Sequence, residues 1–146
     1  MNLKQIKYNI ENLLNNTINY TTETNTYNTS NPAQDLKNSN IITDTRTEYT
    51  RILFESNDKI VVQGDYALFS NENIGYISDI HIHPDIQNKN IGTNLRQYMV
   101  DQLEPQTNII YSYPTNEHIK YINTKKQNFK PVQNTSLNGW YFKDTS

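Results

Sequence analysis

Three side chains able to do chemistry stand two apart in the segment SDIHIHPDIQNKNIG, residues 78–92: Asp79, His81 and His83. Alternate residues of a regular strand share a face, so one carboxylate and two imidazoles at this spacing could hold zinc or non-haem iron. The residues after them point elsewhere. Pro84 ends the strand, and QNKNIG (87–92) opens a helix. A strand that turns sharply into a helix presents unpaired N–H groups and the positive end of the helix dipole, which together suit phosphate. Asn90 takes the left-handed conformation almost as glycine does, Gly92 permits close backbone approach, and Lys89 adds a mobile positive charge. The chain has three histidines, and the third, His118, falls on another element. A metal site also leaves the polar turn unexplained. Phosphate is therefore the preferred ligand, and no metal is expected.

The elements that must position these residues are readable from periodicity. Leu3, Ile6, Ile10, Leu13 and Leu14 follow the helical repeat, predicting a helix over about residues 3–16 with one apolar stripe. Residues 20–40, rich in Thr, Asn and Ser, read as a long connection with a short helix near 33–38, a place where substrate specificity could be encoded. YTRILFE (49–55), KIVVQGDYALF (59–69) and IGYISDIHIH (74–83) read as strands, and the breaks SND and SNEN make them an antiparallel meander. Ile91, Leu95, Met99 and Leu103 place a helix from Gly92 to Glu104, which Pro105 stops. TNIIYSY (107–113) is a further strand, parallel to 74–83 through the crossover helix. A helix over about 116–126, with Ile119 and Ile122 inward, and two strands in FKPVQNT and GWYFKD complete the chain. The fold class is thus α/β (α+β), a mixed, mostly antiparallel sheet with helices on both faces.

Composition narrows the function classes. The length of 146 residues fits one domain. Hydrophobic residues are only 34%, a deficit that eleven tyrosines partly fill. Asparagine is the commonest residue, which reads as the mark of an AT-rich coding origin, so that scattered Asn carries no turn information. Thirteen basic and fifteen acidic residues give a net charge of −2, without the basic footprint that nucleic acid requires. Without cysteine, disulfides, thiolate metal sites and a thiol nucleophile are absent together. No apolar run reaches membrane-spanning or signal-peptide length, so a cytoplasmic protein with no membrane partner is expected.

ISDIHIHPDIQNKNIGTNLRQYMVDQL (77–103) resembles the acetyl-CoA-binding core of the Gcn5-related N-acetyltransferase (GNAT) superfamily. That core reads as an apolar strand with a Val-x-Pro-like end, then Gln/Arg-x-x-Gly-x-Gly/Ala opening a helix. Ile82-His83-Pro84 takes the strand-end place, and Gln87, Asn90 and Gly92 take the motif positions, with asparagine replacing the first glycine. Downstream, NEHIKYINTKKQNF resembles the family's Asn-x-x-Ala followed by Gly-Phe, through Asn116, Ile119 and Phe129, with Asn128 in the glycine's place. The strand order also matches from about residue 41 to the end.

The resemblance implies a single acetyltransferase domain over 1–146. Residues 1–40 would form an acceptor-side region of helix and loop, and 41–146 the sheet core with the acetyl-CoA site. It implies that the sheet splays between the strands 74–83 and 107–113, with the pantetheine arm paired to backbone at Ile80, Ile82 and His83. Gln87, Asn88, Lys89, Asn90, Ile91, Gly92 and Thr93 would hold the pyrophosphate, and Asn116 would lie near the cofactor. Asp79 and His81, nearest the implied thioester, are the candidate bases, although a bulge in that strand would bring Tyr76 or Ser78 in instead. Tyr121 matches the family's thiolate protonator, with Tyr113 or water as substitutes. The implied reaction is transfer of acetyl from acetyl-CoA to a primary amine, on a small molecule or protein, by direct attack in a ternary complex. The alternative is a catalytically degenerate GNAT-fold binding module, from a virus or mobile element. A homodimer through exposed strand edges is compatible with either.

Overall fold

Asn2 and Gln5 bond reciprocally to each other's backbone N–H groups, a capping box that starts helix α1 (Leu3–Leu14). Asn15, left-handed at φ 55°, ends it. Leu3, Ile6 and Ile10 are the buried stripe. The computed structural model describes residues 1–28, 33–43, 46–78, 80–115, 119 and 121–146.

After α1 the order is β1 (Asn19–Tyr27), α2 (Gln34–Asn38), β2 (Thr47–Ser56), β3 (Lys59–Phe69), β4 (Ile74–Ile77) and β5 (His81–Ile82). Then come α3 (Ile91–Leu103), β6 (Ile109–Ser112), β7 (Lys130–Pro131) and β8 (Tyr141–Asp144). The strands form one sheet in the order β1-β2-β3-β4-β6-β8-β7, and β5 also pairs with β3. Every pairing is antiparallel except β4 with β6, which is parallel as the intervening helix requires.

The meander, the crossover helix and the closing strands stand where periodicity placed them. The segment predicted as a helix over 116–126 is helical at 119 and 121 and runs into a π-helical turn, Ile122–Lys126, its remaining residues lying outside those described. The stretch 20–40 differs from expectation. The short helix is present as α2, but Asn19–Tyr27 is a nine-residue strand rather than a connection, paired with β2 from Asn19–Glu55 to Tyr27–Thr47. All nine residues are exposed, so no apolar alternation betrays the strand. Thr and Tyr supply β-propensity, and backbone pairing with a neighbour fixes the register.

Asparagine also carries more structure than a compositional bias. Asn15, Asn40, Asn57, Asn73, Asn88, Asn90 and Asn128 all have positive φ, as does Asp58. Asn57 and Asp58 form the two-residue turn between Ser56 and Lys59, the conformation a tight hairpin needs at both central positions. In a chain with four glycines, asparagine takes over much of glycine's left-handed work.

Two apolar clusters flank the sheet. The larger one joins α1 and α3 to one face through Ile6, Ile10, Ile52, Phe54, Leu95 and Met99. The smaller joins α2 to the other face through Leu36, Phe69, Leu137 and Trp140. Helix α3 lies close to the sheet: a Cβ at Gly64 would stand 3.0 Å from Leu95 Cδ2, and one at Gly75 would stand 3.1 Å from Leu103 Cδ1. Among the described residues no helix is long and apolar enough to cross a membrane.

Candidate functional site

The site begins where β4 stops pairing with β6. The parallel register runs from Ile74–Ile109 to Ile77–Ser112 and ends there. On its other side the same chain stays with β3: Ser78 N donates to Asp65 O at 3.1 Å, His81 pairs with Gln63 and Ile82 with Val62, and His83 N donates to Val61 O at 2.8 Å. Between the pairs Tyr66–Ile77 and Gln63–His81 the β4–β5 side carries one residue more than β3, which is a β-bulge. β5 thus follows β3 while β6 ends at Ser112. The strands part, and among the described residues β5 has no strand partner on the β6 side.

The bulge decides several sequence-level expectations. It shifts the faces the strand presents, so that Ile77 and Ile82, five positions apart, both pack on the larger core. His81 is exposed on β5, whereas His83 turns back, its Nδ1 accepting from Asp85 N at 3.1 Å to cap the turn Pro84–Ile86. Ile80 and Ile82 pack against the larger core. Tyr76 packs on the smaller cluster, its ring 5.8 Å from that of Trp140. Asp79 and Asn116 lie outside the described residues. Among the described residues no three His, Asp or Glu side chains gather as metal ligands would.

The loop before α3 is built for close turning. Gln87 Nε2 donates to Ile82 O at 3.1 Å, tying the loop to the end of β5. Asn88 and Asn90 are both left-handed, at φ 61° and 67°. Residues that alternate in handedness turn successive amides toward one side, making an anion-binding concavity. Asn90 is also the N-cap of α3, yet its side chain makes no capping bond. The first intrahelical bond is Asn94 N to Asn90 O, at 3.0 Å, so the amides of Ile91, Gly92 and Thr93 have no helical carbonyl to bind. Lys89 is exposed beside them. A Cβ at Gly92 would stand 2.8 Å from Ile82 Cδ1, so this glycine lets the helix start close against β5. These groups fit a pyrophosphate: free amides, a dipole end and a cation, with no carboxylate contact to the loop amides among the described bonds.

Sequence reasoning missed the buried base of the cleft. Arg96, on the inward stripe between Leu95 and Met99, is 1% exposed. Its Nη2 donates to Ser112 Oγ, and its guanidinium lies 5.5 Å from the centre of the Phe129 ring. Gln127 Nε2 reaches Thr93 O at 3.4 Å. Arg96 therefore ties the helix that carries the loop to the last residue of β6, on the far wall of the cleft. The signal in the sequence was an arginine at an apolar position of the helical repeat. Asn128, in the place of the family's glycine, is left-handed at φ 61°, and Phe129 beside it is buried.

Tyr121 is 53% exposed, and its carbonyl accepts from Thr124 Oγ1 at 3.5 Å. Tyr113 directly follows Ser112, stacked on Trp140 at 5.4 Å between ring centres. On the same sheet face, Tyr49, Arg51, Gln63 and Asp65 form a polar group. Burial, then the neighbouring Asp65 carboxylate, pushes the Tyr49 hydroxyl up to about 12. Hydrogen bonding to Asp65, first of all, holds the Arg51 guanidinium above its ordinary value.

The model of the acetyltransferase (GNAT) family matches residues 15–124. A search of curated proteins finds no match. Similar solved structures include an acetyltransferase from Thermus thermophilus, 20% identical, with a TM-score of 0.52 over 66% of this chain and 64% of that one. The chain thus spans under two thirds of that relative's length. Tetrahymena GCN5 is 15% identical, with a TM-score of 0.51 over 67% of this chain and 69% of its own. A mutant AtaT toxin, bound to the C-terminus of the antitoxin AtaR and to acetyl-CoA, is 10% identical, with a TM-score of 0.52 over 86% and 93% of the two chains. At these identities the structures speak for the fold. With a family model covering most of its length and an eight-stranded, largely antiparallel sheet parted beside a helix-opening loop, the chain belongs to the GNAT acetyltransferase family.

Proposed function

We propose that this protein is an acetyl-CoA-dependent N-acetyltransferase that acetylates a primary amine, on a small molecule or a protein, by direct attack in a ternary complex. The observation that carries the reading is the parted strand pair beside an uncapped helix N-terminus. β4 and β6 separate after Ile77 and Ser112, and the left-handed pair Asn88 and Asn90 opens α3 without a side-chain cap. Residues 1–146 act as one domain, with the sheet core over 41–146 carrying the cofactor site. Residues 1–40 lie on the acceptor side, although β1 joins the sheet.

Bound acetyl-CoA supplies an activated acyl thioester. The amides of Asn88 to Thr93 receive its pyrophosphate, with Lys89 as the outer cation. Backbone groups from Ile80 to His83 align the amide-bearing arm, since parted strands leave polar groups for a ligand to satisfy. Gln87 holds the turn by its bond to Ile82 O. Asn116 adds a polar contact near the arm. A backbone N–H of the parted strand polarises the thioester carbonyl. His81, exposed on β5, takes a proton from the acceptor's ammonium directly or through one water, so that the neutral amine attacks, and Asp79 is the second candidate base. Tyr121, whose ring is open to solvent, returns a proton to the departing thiolate.

Calorimetric titration with acetyl-CoA, with desulfo-CoA as control, tests the reading. Micromolar affinity that weakens with salt, as a phosphate contact should, is the expected result. No binding at millimolar ligand refutes it and leaves a degenerate scaffold. If His81→Ala, Asp79→Asn and Tyr121→Phe each leave turnover intact, the catalytic roles are wrong even where the cofactor is right.

A further inference from the structure

Helices α1 and α3 close one face of the sheet over the cleft, their side chains filling the larger core. Among the described residues, α2, Leu137 and Trp140 cover the opposite face toward one end. On the acetyltransferase reading, that second face is the side open to an acceptor. Beyond the cover lies a polar row that the acyl-transfer steps leave unused.

Arg51 on β2 and Asp65 on β3 are direct cross-strand partners. Arg51 Nε donates to Asp65 Oδ1 at 3.1 Å, and Gln63 Nε2 donates to Asp65 Oδ2 at 3.3 Å. Asp65 is 7% exposed, whereas the Arg51 side chain is 49% exposed. Gln63 is in turn the cross-strand partner of His81. His81, Gln63, Asp65 and Arg51 thus lie on one face, across three adjacent strands. At about 4.8 Å per strand and about 3.4 Å per residue, two strands across and two residues along, His81 and Arg51 start roughly 12 Å apart at the backbone, and both side chains can reach toward the space between.

The polarity of this row selects among acceptors. Asp65 has both carboxylate oxygens engaged, so it offers little to an incoming ammonium. What it does is orient a guanidinium. With Nε committed to Asp65 and the Tyr49 hydroxyl also interacting with it, the half-exposed Arg51 guanidinium is held as a planar fork, a shape that matches a carboxylate or phosphate bidentately. Tyr49 stands alongside, 6.0 Å from the guanidinium to its ring centre, and limits the directions the fork can take.

We infer that Arg51, positioned by Asp65, is a specificity-determining residue that binds an oxyanion on the acceptor, a carboxylate or phosphate set several ångströms from the amine that is acetylated. The inference rests on the acetyltransferase reading above. It selects amino-acid-like or phosphorylated amines and works against simple polyamines.

Matched acceptor pairs test it: phenylalanine against phenethylamine for the carboxylate, and phosphoethanolamine against ethanolamine for the phosphate. Each is assayed by acetyl-CoA-dependent thiol release with the wild type, Arg51→Gln and Arg51→Lys, alongside calorimetry with acetyl-CoA. In at least one pair the anionic member should have kcat/KM higher by roughly tenfold or more, and the responding pair identifies the oxyanion. Arg51→Gln should remove that preference through KM, with kcat and acetyl-CoA affinity little changed. Arg51→Lys should restore part of it, because it returns the charge without the fork. Equal use of both members in both pairs, use of none of the four, or a preference that survives Arg51→Gln overturns the inference. In each of these cases intact acetyl-CoA binding leaves the acetyltransferase reading standing; a wild type that binds no acetyl-CoA refutes that reading and the inference with it.

Discussion

Asn90 offers a sharp test of whether the left-handed loop shapes the cofactor site. It stands at φ 67° and ψ 8° immediately before α3, and its side chain caps nothing. Replacing it therefore removes no hydrogen bond to the helix, only the residue's tolerance for this conformation. A residue with an ordinary Cβ pays about 1–2 kcal/mol in the left-handed region, part of which Asn escapes. Asn90→Ala should then lower unfolding stability by about 1 kcal/mol, or roughly 2–4 °C in Tm at this chain length. Asn90→Gly relieves the strain but adds freedom to the unfolded chain, about 0.4–1 kcal/mol in the other direction, so its net effect should be near zero. The ligand site feels the same perturbation. If alanine draws the loop out of the competent conformation by about 1 kcal/mol, apparent acetyl-CoA affinity falls by up to about fivefold. Asn73 provides the control. It is left-handed at φ 56° but precedes β4 at the end away from the cleft, so Asn73→Ala should lose similar stability and keep its affinity. Urea unfolding and calorimetry measure both quantities. Should Asn90→Ala match the wild type in both, or Asn73→Ala weaken binding equally, the loop's handedness is not what forms the site.

The geometry sets three further outcomes. Gly92→Glu sets a carboxylate beside the first-turn amides; at about 4 Å from a phosphate, like charges repel by about 1–4 kcal/mol, so acetyl-CoA affinity should fall about tenfold or more in calorimetry. Gly64→Ala puts a Cβ 3.0 Å from Leu95 Cδ2 and 3.2 Å from Met99 Sδ, and such overpacking should cost about 1–3 kcal/mol in urea unfolding; an unchanged midpoint would show that α3 is free to move outward. Tyr49, with its hydroxyl pushed up to about 12, favours the folded state while it is protonated. That contribution is whole below about pH 10, the unfolded value, and is lost as pH rises toward about 12. Tyr49→Phe should therefore lose less stability than the wild type across that window; equal losses would mean that Tyr49 titrates alike in both states.

The parts of the fold that bury apolar residues were legible in the sequence. Ile6 and Ile10 announced α1, Leu95 and Met99 announced α3, and the β-branched runs of β2 and β3 gave the meander with its Asn57–Asp58 turn. β1 was not legible, because a strand exposed on both faces needs no pattern; its Thr and Asn residues read equally well as a connection. Arg96 was hidden for the opposite reason. It sits among apolar residues of the helical stripe, where an arginine looks like a solvent-facing neighbour until the Ser112 hydroxyl and the Phe129 ring are found around it.

The site itself shows a subtler limit. Asn90 and Asn128, judged against the family pattern, look like lost glycines, and composition alone explains an excess of asparagine. Both stand at positive φ, where asparagine is the next best residue to glycine, so the substitutions keep the backbone that the pattern encodes. The informative unit was therefore the conformation a residue permits rather than its identity. The bulge between Ile77 and His81 is expected from the family resemblance alone and not from the residues themselves. A single extra residue in SDIHIH leaves the alternation of isoleucine with polar residues intact in the sequence, while in space Ile77 and Ile82, an odd number of positions apart, both face the larger core and β5 follows β3 rather than β6. A register shift arises from how two strands meet, and one strand's sequence cannot state it.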